Sequence, residues 1–465
     1  MKIFRTKSTA PDELDHTGLK KCLTAFDLTF LGIGAIIGTG IFVLTGIAAA
    51  TQAGPAVVLS FVIAGIACAF AALAYAELAA AVGGCGSAYG YSYVAFGELI
   101  AWIIGWDLIL EYGVATAAVA TGWAGYFNNA LTAVGLALPE SLTKAPSLGG
   151  IVNLPAAGIV LILMVLLMLG MRESARTNMV MVLVKLLTIA VFIGVAVFHV
   201  NPENWSPFMP FGWSGQSPDG KPVGVLAGAA MVFFAYIGFD AVSTAAEEAK
   251  NPQRDVPFGI IFSLVFCTVI YIVVSGLLTG IVPYTQLNVA SPVAHSLQLL
   301  GINWASALVA TGVIAGLTTV MLVLYYGLTR VFFAMSRDGL LPPFFAQIHP
   351  KTQTPVRVIA LCGLLISLIA GFLPLGELAE LVNIGTLAAF VLVCLGVIVL
   401  RIRQPQLHRP FKNPLNPVFP LLGACSCAAL MAFLPWITWV RFAIWLALGV
   451  VVYFSYSIHH SKLEE

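Results

Sequence analysis

Long apolar runs leave this chain few ways to fold. About twelve stretches, roughly 26–51, 55–81, 95–126, 151–170, 177–199, 223–246, 257–281, 303–335, 356–373, 378–400, 416–435 and 440–458, can each cross a hydrocarbon layer about 30 Å thick as a helix. Backbone polar groups in lipid must be satisfied internally, which leaves helices or a closed barrel. Barrel strands are about ten residues long and alternate apolar with polar; these runs do neither. Hydrophobic residues make up 60% of the chain and charged residues 9%, against about 25% charged in a soluble domain. The chain therefore reads as an all-α integral membrane protein. A net charge of +1 gives no reason to expect nucleic acid or an acidic partner. The first 25 residues are polar and basic, without the short apolar core of a cleavable leader.

Charge sets the expected orientation. All but four of the 22 Lys and Arg fall on one side if the N-terminus is cytoplasmic; Lys144, Lys221 and Arg441 lie outside, and Lys185 lies within the fifth span. The positive-inside rule then places both termini in the cytoplasm, for a multi-pass protein of the cell membrane. The organisation expected is a cytoplasmic segment 1–25, a first set of five spans over 26–199, an external loop 200–222, a second set over 223–400, and two further spans with a cytoplasmic tail over 401–465. The loop between His199 and Pro222 is rich in Pro, Gly, Trp and Ser and is expected to fold as a lid. Pro55, Pro155 and Pro257 are expected to open helices.

Glycine marks the interruption of the first span. Gly32, Gly34, Gly38, Gly40 and Gly46 crowd its middle, although glycine costs about 1 kcal/mol against alanine in a helix interior. Gly34 and Gly38 also fit the small-xxx-small spacing of closely packed membrane helices. The alternative is a broken helix, whose free N–H groups bind an anion and whose free carbonyls bind a cation. A second disrupted stretch, Phe234 to Asp240, favours the break. Spans 1 and 6 each open a set of five from opposite sides, the arrangement of an inverted repeat. Close approach of backbone to ligand asks for glycine at 38 and 40.

Several motifs carry a resemblance. Gly38-Thr39-Gly40-Ile41-Phe42, Gly83-Gly84-Cys85-Gly86-Ser87-Ala88-Tyr89-Gly90-Tyr91, Gly97-Glu98, Gly105-Trp106, Glu247-Glu248-Ala249-Lys250-Asn251-Pro252 and Arg337-Asp338-Gly339-Leu340-Leu341-Pro342 are similar to signatures of the amino acid–polyamine–organocation transporters. The match runs from about Leu23 to Phe411 and looks most like bacterial homologues of the cationic amino acid transporters. The resemblance implies the LeuT-type fold of 5+5 inverted repeats, here with about 12 transmembrane helices, and with helices 1 and 6 broken. It implies that a substrate α-carboxylate meets the amides of Thr39 and Gly40, aided by the Thr39 hydroxyl. It implies that the α-ammonium meets the carbonyls of Ile36, Phe234, Ala235 and Ile237. It implies too that Lys185 matches the span-5 lysine which, in sodium-independent members, stands where sodium-coupled relatives hold a sodium ion between spans 1 and 8, with Thr318 and Thr319 as expected partners.

Ionisable groups within spans are costly and so are functional candidates. These are Glu77, Asp107, Glu111, Lys185 and Asp240. Glu77, near an inner span end, is expected to be structural. Asp107 and Glu111 share a helix face; Asp107 is expected as a hydrogen-bonded anchor and Glu111 as either an anchor or a proton site. Asp240 is expected to cap the second half of span 6 or to act in gating. Lys185, with Glu111, is the candidate for proton coupling. Met321, one turn beyond Thr318, is a candidate pocket wall.

The function expected is secondary transport of L-amino acids, small neutral ones first, by proton symport. Cationic substrates or exchange are the alternatives within that class. A channel would need a filter segment or charged rings, and an enzyme a nucleophile elbow or a His-Glu-x-x-His pair; the sequence has neither. The residues suggest no catalytic group and no metal site. Without a P-loop, no nucleotide cofactor is expected. The partners expected are the amino acid, the proton and the bilayer.

Overall fold

A computed structural model of the protein describes residues 5–6, 23–82, 88–133, 135–170, 175–246, 249–350, 352 and 354–462. Gly83 to Ser87, Glu247-Glu248 and nearly all of segment 1–25 lie outside the described residues. Eight helical stretches among the described residues are long and apolar enough to cross a membrane, and three shorter apolar helices accompany them.

The first apolar run holds α1 (Ala25–Ile36) and, after a break, α2 (Thr45–Ala48) between the wider turns Gly40–Leu44 and Ala49–Ala53. Thr24 and Asp27 form a capping box that starts α1. Then come α3 (Val57–Val82), α4 (Ala88–Ala95), α5 (Glu98–Ala133), α6 (Leu154–Met168) and α7 (Ala175–Ala196). The second half has α8 (Val225–Val232), a tighter turn Phe233–Tyr236, α9 (Ala241–Thr244), α10 (Pro252–Ile281), α11 (Pro292–Leu299), α12 (Asn303–Arg337), α13 (Val356–Phe372) and α14 (Leu375–Arg403). The helices α15 (Val418–Ala432) and α16 (Trp436–Val452) follow.

Two short helices, α4 and α11, were not legible as apolar runs because each has only eight residues. Pro257 does not open a helix as expected. Pro252 does, at the first turn where its missing N–H costs nothing, and Pro257 lies inside α10.

The packing repeats itself. α1 lies on α10, and α8 lies on α3; α7 lies on α12, and α14 lies on α5. The pairs α3–α10, α5–α12 and α6–α13 complete the set. Exchanging each span of the first five with its counterpart in the second five leaves this list of contacts unchanged. The likeness reaches single residues. A Cβ on Gly32 of α1 would stand 2.5 Å from the Ser263 hydroxyl of α10, and one on Gly228 of α8 would stand 2.6 Å from the Ser60 hydroxyl of α3.

The loop before α8 is folded against the helix ends. Asn204 Nδ2 donates to the Gly280 carbonyl at 2.7 Å, Trp205 Nε1 donates to Gly276 at 3.3 Å, and the Ala56 amide donates to Phe208 at 3.0 Å. A two-residue hairpin, β1 (Gly215–Gln216) with β2 (Pro222–Val223), closes it.

At the opposite end, Glu77 has the structural role expected. Arg401 grips its two oxygens at 2.8 and 2.6 Å, and the Asn413 amide donates to it at 2.7 Å. On the same side, Glu98 accepts from the hydroxyls of Tyr93, Tyr453 and Ser461.

Candidate functional site

Two helix breaks cross at the centre of the molecule. α1 stops at Ile36 because Ile37 turns extended, at φ −74° and ψ 100°. The second half begins near Gly40, and the first N–H groups of a helix have no helical carbonyl to bond. In the other segment, Ile37's counterpart is Ile237, also extended, followed by Gly238 at φ +121°. Only glycine takes that conformation freely.

The breaks touch backbone to backbone. A Cβ on Gly40 would stand 2.3 Å from Ala235 Cα; one on Gly238 would stand 2.8 Å from the Ala35 carbonyl carbon. Gly40 is therefore glycine because the other broken segment passes against it. The sequence-based reason, space for a ligand, is corrected for this residue. At Gly38 a Cβ would meet only Val320, at 3.7 Å, so no neighbouring backbone explains that glycine. Gly34, by contrast, packs on Val182 and Asn178 of α7, as small-xxx-small spacing suggests.

Of the expected carbonyls, those of Ile36 and Ala235 meet at one hydroxyl, and protein donors reach three of the four. Tyr271 of α10 places its hydroxyl 2.8 Å from both the Ile36 and the Ala235 carbonyl oxygens. The Phe234 carbonyl accepts from the Ile237 amide at 3.3 Å. A tyrosine hydroxyl has one proton to give, so two carbonyls share a single donor. Tyr271 was missed at the sequence level, since a lone tyrosine in an apolar run carries no positional signal. The Thr39 hydroxyl, fully buried, has no hydrogen-bond partner and lies against Gly122 of α5. Every residue of the crossing is buried, so this conformation is closed around it.

Lys185 is buried on α7 and donates from Nζ to the Gly34 carbonyl at 2.7 Å. That carbonyl sits in the last turn of α1, where helical acceptors go unpaired and the helix dipole favours a cation. The lysine stem runs over Gly316 of α12, whose Cβ would stand 2.8 Å from Lys185 Cγ. The expected threonines turn elsewhere. Thr318 donates to Ile314 at 2.8 Å and accepts from Trp123 at 3.1 Å; Thr319 donates to Gly316 at 2.8 Å. Met321 is wholly buried on α12.

Asp240 does not cap α9 as expected. Its carboxylate turns back to accept the Gly238 amide at 3.1 Å, and α9 has no side-chain cap. The side chain thus fixes the break itself. Asp107 is not the hydrogen-bonded anchor expected: both of its oxygens are buried without a partner, and so is Glu111 Oε1. One residue set apart on α14, Asn383, donates to the Ala230 and Met231 carbonyls at 2.8 and 3.1 Å, holding the end of α8 beside its break.

Comparison with known sequences agrees in scale with this architecture. The description of the amino acid permease family matches residues 23–457. The chain is 50% identical to the methylthioribose transporter of Bacillus subtilis (strain 168), over all of this chain and 99% of that one. It is 53% identical to the branched-chain amino acid permease BcaP of the same organism, with the same coverage. It is 32% identical to cationic amino acid transporter 4 of Homo sapiens, over 97% of this chain and 89% of that one.

Proposed function

The chain belongs to the amino acid permease family, and from that premise we propose that it is a secondary transporter carrying neutral L-amino acids across the cell membrane in symport with protons. Its relatives are named as transporters and permeases rather than enzymes. The observation that carries the proposal is the crossing of the two breaks, with Gly40 against Ala235 and Gly238 against Ala35. One zwitterion needs N–H donors for its carboxylate and carbonyl acceptors for its ammonium. The start of the second half of span 1 supplies the first, through Gly38, Thr39 and Gly40. Ile36, Phe234, Ala235 and Ile237 supply the second, once Tyr271 yields.

Contacts that survive exchange of the two halves support a 5+5 inverted repeat of the LeuT type, within about twelve spans whose N- and C-termini are cytoplasmic. Phe234, Ile237 and Met321 make apolar walls, which suit an uncharged side chain, and the name of BcaP points to branched ones. Lys185 and Glu111 are the proposed proton-coupling groups, and Asp240 the gating residue.

A second reading has its own support. The methylthioribose transporter is nearly as similar, and the sugar in its name has neither carboxylate nor ammonium. Competition against labelled leucine in proteoliposomes separates the two, with the twenty amino acids and methylthioribose as competitors. Inhibition by branched-chain amino acids, with saturation and counterflow, is the expected result. No uptake of labelled leucine, with saturable uptake of labelled methylthioribose by the same proteoliposomes, overturns it.

A further inference from the structure

The last residues of the chain fold back across the end of the molecule opposite the loop before α8. After α16 come a wider turn, Tyr453–Ser457, and one short turn, Ile458–His460. The Ser457 hydroxyl, fully buried, donates to the Leu340 carbonyl at 2.7 Å, and the Lys462 amide donates to the Asp338 carbonyl at 3.1 Å. The Ser461 hydroxyl donates to Glu98 Oε2, and the Tyr453 hydroxyl donates to Glu98 Oε1 at 3.0 Å. Gly339, at φ +82°, makes room for the tail, since a Cβ there would strike the His460 carbonyl.

The two acidic residues that hold the tail also hold α4. Tyr89 donates to Asp338 Oδ2 at 2.6 Å, and Tyr93 donates to Glu98 Oε2 at 3.2 Å. Glu98 is wholly buried at the start of α5, where an acceptor that loses its donors is costly. Tyr89 and Tyr93 are one turn apart and share a face of α4, and Tyr91 lies on the other. The Tyr91 ring meets Tyr75 of α3 edge-on at 6.2 Å, and Tyr75 meets Phe239 edge-on at 5.8 Å. Phe239 follows Gly238 in the second break. One face of α4 is thus held to the ends of α5 and α12, beside the tail, while the other leads through two ring contacts to the break of span 6.

Exchange of the halves carries α4 onto α11, since each follows the second span of its five. The Asp338 contact has its counterpart there: Asn129, near the far end of α5, donates to Ser291 at 2.8 Å and accepts from Gln298 of α11 at 3.0 Å. The tail belongs to neither five, because it follows the two spans outside the repeat. One of two equivalent short helices therefore carries a support that the exchange does not reproduce. We propose that the C-terminal tail is a strap on the mouth at its end of the molecule: seated on Glu98 and the Asp338–Leu340 corner it keeps α4 closed toward the break of span 6, and unseated it lets that mouth open. This rests on the transport reading. A contact made in one form and lost in the other shifts their populations by its differential worth.

The test uses purified protein in lipid, its own cysteines replaced, with one reporter cysteine at each mouth where substrate changes the wild-type alkylation rate. Removal of residues 459–465 is expected to raise the rate at the mouth under the tail and to lower it at the opposite mouth. Ser457→Ala with Ser461→Ala, in the full-length chain, is expected to shift both rates in the same sense by roughly fivefold, what about one net hydrogen bond is worth. If the shortened chain fails to insert, the double serine variant decides. A lowered melting temperature with both rates at their wild-type values makes the tail a brace of the fold alone and overturns the proposal. So does a shift toward the opposite mouth, or a shift in the shortened chain with none in the serine variant. A wild type in which substrate changes the rate at no position scanned overturns the transport reading, and the strap with it.

Discussion

Gly38 and Gly40 are two residues apart and are glycines for different reasons. A side chain at 40 collides with the backbone of Ala235, whereas one at 38 enters space bounded only by Val320. Gly38→Ala is therefore expected to leave the melting temperature within a degree or two of wild type while substrate-induced thermal stabilisation is lost. Gly40→Val is expected to lower the melting temperature outright, so it cannot report on the site by itself. Tyr271→Phe removes one hydroxyl shared by two carbonyls. An unsatisfied buried acceptor costs about 1–3 kcal/mol, so the empty transporter should be destabilised by about that amount, and less when substrate is bound. Equal destabilisation with and without substrate counts against a shared position for hydroxyl and ammonium. The glycine pattern made the breaks legible in the sequence, because little else puts so much glycine inside an apolar run. The donor that bonds the carbonyls at the breaks was not, since Tyr271 acts from a third helix 235 residues from Ile36.

The free end of α1 is an element with a demand of its own. Its last carbonyls face inward without amides, and Lys185 answers one of them at 2.7 Å. Lys185→Met keeps the volume, leaves Gly34 without this donor, and removes the proton proposed above to couple transport. Accumulation under a gradient of one pH unit, worth about 1.4 kcal/mol per proton, is expected to vanish while the protein stays folded. Undiminished accumulation by the Met variant would place coupling elsewhere. Elements of this length were readable from hydropathy alone. Their partners were less so: Lys185 was expected at Thr318 or Thr319, yet Thr318 bonds to Ile314 and Trp123 and Thr319 to Gly316. Threonine on a helix satisfies its hydroxyl locally at i−4 or i−3 with no help from tertiary structure, so sequence adjacency to a site did not imply contact with it. Glu77 went the other way. Its place near a span end suggested a structural role, and the structure pairs it with Arg401, a partner the sequence did not name. Arg409 Nε, 3.5 Å from Glu77, and the Asn413 amide would still face the carboxylate, so Arg401→Met should lower the melting temperature, by less than the roughly 3–5 kcal/mol of a fully orphaned buried charge, without altering the order of preferred substrates.

Across the whole molecule, the same contacts are made twice with the halves exchanged. Gly32 on Ser263 and Gly228 on Ser60 are one instance, each a glycine of a broken span pressed to a serine of its neighbour. The two interfaces then act as opposed weights on one balance. On the transport reading proposed above, an inward-open form and an outward-open form would differ in which of them is disturbed, which would tie their free energies to residues that look equivalent. A methyl at Gly32 and a methyl at Gly228 should tilt that balance in opposite directions, and the double variant should return it toward level. Alkylation rates of single cysteines introduced at the two mouths would read the tilt directly. Single variants that shift the rates the same way would mean that the two halves resemble each other in shape and not in energy.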